Sequence, residues 1–157
     1  MPGDMQPHFQ HCMDLVREES RADYAALLFL PKAARPYAFA VQAFHLEIDR
    51  ISFLVSDPMP GEIRLQWWRD VLSGERENEG QANPVARALL ETIAQFHLPA
   101  DGFDRYLEAR IFDLYQDPMP DRTTLEAYLG ETESFILQMK ATVCGIENSS
   151  RLADPCG

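Results

Sequence analysis

Apolar residues recur at three- and four-residue steps through most of the chain, the spacing that places them on one face of an α-helix. Phe9, Cys12 and Val16 mark a first helix over about 8–19. Ser20 offers a cap for a second helix that stops before Pro31. Pro36 suits the first turn of a third helix, where its missing N–H would have no helical partner. Val41, Phe44, Ile48, Ile51 and Val55 carry that helix to about residue 55. Asp57-Pro58-Met59-Pro60-Gly61 breaks the pattern. Ile63, Trp67 and Val71 define a fourth helix over about 62–73, ended by Gly74. Glu75 to Ala82 reads as a polar surface loop. Asn83-Pro84, a cap followed by a first-turn proline, opens a fifth helix with Val85, Leu89 and Ile93. Phe103, Leu107, Ile111 and Leu114 mark a sixth, broken by Asp117-Pro118-Met119-Pro120. Thr123 and Glu126 have capping-box spacing for a seventh, which runs to about Cys144. No stretch of useful length alternates as a strand does. The expectation is an all-α bundle of about seven helices, one domain over residues 1–146, followed by a disordered polar tail over 147–157.

Asp-Pro-Met-Pro occurs twice, 60 residues apart, each time ahead of a helix. The flanking residues do not match, so two similar helix-breaking turns are read in preference to a duplicated unit. The chain has 157 residues, enough for a core of its own. Acidic residues outnumber basic ones 25 to 14, which argues against a nucleic-acid binder and against electrostatic docking on an anionic membrane. No apolar run reaches the roughly 18–20 residues of a membrane-spanning helix, and the N-terminus carries no secretory pattern. Cys12, Cys144 and Cys156 are odd in number and widely spaced, so they read as reduced thiols in a cytoplasmic protein, peripheral to a membrane at most.

Several segments taken together carry a family likeness. Leu30-Pro31-Lys32-Ala33-Ala34-Arg35-Pro36 is followed by Ala43-Phe44 and Ile48-Asp49. Then come Arg64-Leu65-Gln66-Trp67-Trp68-Arg69-Asp70, Asn83-Pro84-Val85-Ala86-Arg87-Ala88-Leu89, and Asp113 with Tyr128. In order and spacing these resemble the N-terminal half of the squalene/phytoene synthases, over roughly residues 10–145. The resemblance implies part of the isoprenoid (terpenoid) synthase fold. It also implies a prenyltransferase that ionises an allylic diphosphate with Mg²⁺, held by carboxylates one helical turn apart.

On that alignment the first motif carboxylate is Asp49. Arg50 stands where the family often has a second Asp, Phe53 where the i+4 carboxylate belongs, and Leu46 where an arginine would contact phosphate. Leu46, Phe53, Trp68 and Tyr128 are the candidates for lining a cavity. Asp49 is the remnant of the diphosphate and metal motif; no residue is assigned a catalytic or metal-ligating role.

Two smaller clusters also carry ionisable groups. His45 and Asp49 form an i,i+4 pair, open to metal or proton-transfer use or to a hydrogen-bonded polar stripe in which Asp49 orients the imidazole or pairs with Arg50 or a neighbouring helix. His8, His11 and Cys12 lie close together but lack an identifiable fourth zinc ligand. Arg64 and Arg69 read as solvated helix charges, with contact to a diphosphate or to an acidic helix as the alternatives.

Two functions follow. In the first, favoured on site chemistry, the chain belongs to a degenerate, non-catalytic branch similar to the phytoene-synthase-like assembly factor of respiratory complex I. It would bind a protein, an isoprenoid diphosphate or another lipid, without a cofactor. The alternative is a prenyltransferase of isoprenoid biosynthesis, condensing farnesyl or geranylgeranyl diphosphate head to head with Mg²⁺. A half-bundle would also expose an apolar face suited to self-association.

Overall fold

The structure is a computed structural model that describes residues 5–54, 57–115, 123 and 130–145. Among them are eight α-helices: α1 (Pro7–Glu19), α2 (Arg21–Leu27), α3 (Arg35–Leu54), α4 (Pro58–Ser73), α5 (Glu77–Ala82), α6 (Pro84–Phe96), α7 (Ala100–Leu114) and α8 (Phe135–Val143). A π-helical turn over Gly130–Ser134 leads directly into α8. No strand occurs among the described residues. The tail 147–157 and the capping-box residue Glu126 lie outside them.

The caps fall where the sequence places them. Ser20 Oγ accepts from the Asp23 amide at 3.3 Å, and Asn83 Oδ1 accepts from the Ala86 amide at 3.1 Å. Gly74 closes α4 at φ 92°, a left-handed conformation that glycine adopts without strain. His97 closes α6 in the same region at φ 53°.

Two expectations are corrected. Asp57-Pro58 is the start of α4 and not a break ahead of it: Asp57 Oδ1 accepts from the Met59 amide at 3.2 Å, and Pro58 fills the first turn. The stretch read as a loop contains α5. Its glycine at position 80 and polar residues give weak local propensity, but tertiary contacts supply what propensity lacks. Arg76 pairs with both Asp70 and Glu79, the Trp67 indole donates to Glu79 at 3.4 Å, and Gly80 lies so close to Val71 that a Cβ would come within 3.0 Å of it.

Helix α3 is the centre of the bundle, packed against α1, α2, α4, α6, α7 and α8. Its buried residues Ala38, Phe39, Ala40, Val41, Ala43, Phe44 and Ile48 surround most of its circumference. Phe44 is the hub of an aromatic cluster, with ring centroids 5.1 Å from Trp68, 5.7 Å from Phe103 and 5.5 Å from Tyr106. Each fully buried side chain of this size contributes roughly 1.5–3 kcal/mol over an exposed one.

Candidate functional site

One stripe of α3 is polar. Gln42, His45 and Asp49 follow at steps of three and four, so they line up along one face. Gln42 and His45 are buried, while the Asp49 side chain is 31% exposed. Opposing them are Asp23 from α2, Tyr106 and Arg110 from α7, Glu133 from the π turn and Lys140 from α8.

The hydrogen bonds run along this seam. Lys140 Nζ donates to Gln42 Oε1 at 2.7 Å, and Gln42 Nε2 donates to Asp23 Oδ2 at 3.1 Å. His45 Nδ1 lies 2.6 Å from Tyr106 Oη. His45 Nε2 is 3.6 Å from Asp49 and 3.7 Å from Glu133, contacts of charge rather than hydrogen bonds. A neutral imidazole serves all three: Nδ1 accepts from the phenol and Nε2–H points toward the carboxylates. Burial pushes the His45 pKa down, against the opposing pull of Asp49 and Glu133. Burial also lowers the pKa of Lys140. Asp49 is held by Arg110, whose buried guanidinium donates to Oδ1 from 61 residues away.

The π turn matters here. Such turns displace side chains from the regular α-helical path and recur at functional positions, and this one brings Glu133 to His45 and buries Thr132.

The resemblance implies Mg²⁺, and these residues do not fit it. Mg²⁺ needs oxygen donors in near-octahedral array, with one or two carboxylates free to bind. Asp49, the motif carboxylate, is already engaged by a guanidinium. Glu47 lies 3.8 Å from Arg50, which also reaches Glu19, so the residue at the second motif position serves outer ion pairs. Among the described residues no three His, Cys, Asp or Glu groups are placed to hold a metal ion.

The other residues singled out in the sequence are placed as follows. Trp68 is buried against Phe44, and Leu46 is partly buried against the core. The side chain of Phe53 and the residue Tyr128 lie outside the described residues. Arg69 forms a two-pronged pair with Asp104 at 2.7 and 3.0 Å, and Arg64 sits over the Trp67 ring at 5.9 Å. Cys12 is buried, its thiol pushed up to about 12 chiefly by burial, which keeps it protonated. His8 faces Glu91 at 3.0 Å, and His11 is exposed.

Sequence reasoning missed Gln42, Tyr106, Arg110, Glu133 and Lys140. Arg110 left a signal: it follows Phe103, Tyr106 and Leu107 on the inward stripe of α7, where a charge demands a partner. Which partner was not written in the local pattern.

A family profile described as squalene/phytoene synthase matches residues 16–157. The chain belongs to the squalene/phytoene synthase family. Within it, the chain is similar to proteins named NADH dehydrogenase (ubiquinone) complex I, assembly factor 6. It is 26% identical to that of Bos taurus over 139 residues, covering 88% of this chain and 42% of the relative. It is 25% identical to that of Homo sapiens over 138 residues, covering 88% and 41%. The homolog from Drosophila melanogaster is 28% identical over 151 residues, covering 88% and 43%. The chain thus spans about two-fifths of the length of these relatives. No helix among the described residues is long and apolar enough to cross a membrane.

Proposed function

We propose that this chain is a non-catalytic, protein-binding member of its family that acts in the assembly of a respiratory NADH dehydrogenase complex. The observation that carries the reading is the Asp49–Arg110 pair. Ionising a prenyl diphosphate needs carboxylates that are free to bridge metal to leaving group, and here the motif carboxylate is committed within the protein. Leu46, Arg50 and Phe53 supply neither the arginine nor the further carboxylates of the motif. The relatives named for complex I assembly supply the process and the partner. The free thiols Cys12 and Cys144 agree with a reducing compartment, and we place the protein in the cytoplasm, working at the surface of the respiratory membrane.

Deletion of the gene in its host tests the reading. Native gels and NADH oxidation should show loss of the assembled NADH dehydrogenase complex, with squalene and carotenoid levels unchanged. Restoration by Asp49→Asn as well as by wild type is expected, since no metal chemistry passes through that carboxylate. Intact complex together with loss of a prenyl product would overturn it.

A further inference from the structure

We propose that Arg110 is an internal counter-cation that takes at Asp49 the place a metal ion would otherwise fill, so that the bundle closes without divalent metal. The proposal deepens the non-catalytic reading of the same seam and rests on it.

A carboxylate inside a helical bundle needs a counter-charge, because partial burial strips it of water. Acidic residues outnumber basic ones 25 to 14 in this chain, so cations of its own are the scarcer group. Among the described residues the seam holds three carboxylates, Asp23, Asp49 and Glu133. Facing them are two cations, Arg110 and Lys140, with His45 neutral between. Among these described residues the seam comes within one charge of balance. Lys140 serves its Asp23 end through Gln42, and Arg110 serves its Asp49 end directly.

A guanidinium suits this task. It stays protonated at any ordinary pH, is weakly hydrated, and presents donors in a fixed fork, whereas Mg²⁺ gives up its water reluctantly. It also does what a free ion cannot. Arg110 is part of α7, so neutralising Asp49 fastens α7 to α3 across 61 residues of sequence. The same helix turn delivers Tyr106 to His45, so one face of α7 meets two successive polar residues of α3.

Thermal melts of the full chain in EDTA and in millimolar Mg²⁺ test the proposal. Wild type and Arg110→Lys should melt at the same temperature in both buffers, within about 1 °C. Arg110→Gln leaves Asp49 short of its cation. It should melt several degrees lower in EDTA and recover part of the loss in Mg²⁺, which one or two carboxylates and water suffice to bind. In Arg110→Gln/Asp49→Asn the Mg²⁺ response should vanish. An Asp49-dependent rise of the wild-type melting temperature in Mg²⁺, or an Arg110→Gln protein indifferent to Mg²⁺, would overturn the proposal. If Arg110→Gln does not fold, titration calorimetry of wild type with Mg²⁺ decides. No binding heat is expected, and saturable binding lost in Asp49→Asn would contradict the proposal. These experiments contain no prenyl diphosphate and no respiratory complex, so their failure is separate from that of the assembly role.

Discussion

Two faces of α3 behave differently. One buries Phe39, Phe44 and Ile48 in an aromatic and aliphatic core. The other carries Gln42, His45 and Asp49 into a seam of hydrogen bonds and ion pairs. The core is held by many non-directional contacts spread over neighbouring side chains. The seam is held by a few specific partners, each reaching across the fold. Core packing sets how stable the bundle is; the seam sets which helices sit opposite one another, and whether Asp49 is free for chemistry.

Substitutions on the two faces sharpen the contrast. Phe44→Ala, at the centre of three aromatic rings, should cost about 3–5 kcal/mol in urea unfolding. The seam should yield less per residue. Asp49→Ala removes a carboxylate partner of the buried Arg110 guanidinium. Breaking a fully buried pair costs about 3–5 kcal/mol, and the 31% exposure of the Asp49 side chain brings the expected loss to about 2 kcal/mol. Tyr106→Phe keeps the ring in the core but leaves His45 Nδ1 without its partner, for a loss of about 1–3 kcal/mol, toward the low end if water reaches the ring. A Tyr106→Phe loss as large as that of Phe44→Ala would erase the distinction between the faces.

The two faces also differed in how legible they were. The core stripe of α3 follows from spacing within one helix, so Val41, Phe44, Ile48 and Ile51 could be placed from the sequence, as could the caps at Ser20 and Asn83. Helix α5 was missed because its propensity is weak and its support comes from Trp67, Asp70 and Val71 in another helix. In the seam, His45 and Asp49 were visible as an i,i+4 pair. Their partners were not: Tyr106 and Arg110 lie 61 residues away, and Lys140 lies 98 residues from Gln42. Pairing at that range depends on how helices dock, which periodicity within one helix does not encode.

Of the two faces, acid should act on the seam. Because burial lowers the His45 pKa, the folded state resists a proton that the unfolded chain accepts near pH 6.5. The unfolded state then binds more protons, so stability falls as pH drops below about 6.5 and levels off once the folded pKa is passed. Urea midpoints on either side of that pH should show the drop in wild type and a flatter profile in His45→Gln. The smallest effect lies outside both faces. His97 holds a left-handed conformation that glycine adopts without strain, so His97→Gly should raise stability by about 0.5–1 kcal/mol in the same unfolding assay.

The most direct test of the central claim is diphosphate release. The purified protein, and any longer gene product that contains this chain, is incubated with farnesyl and geranylgeranyl diphosphates and Mg²⁺. The Asp49–Arg110 pair predicts no release above background, and no change on Asp49→Ala. Turnover that Asp49→Ala abolishes would contradict the account and return the chain to the catalytic members of its family.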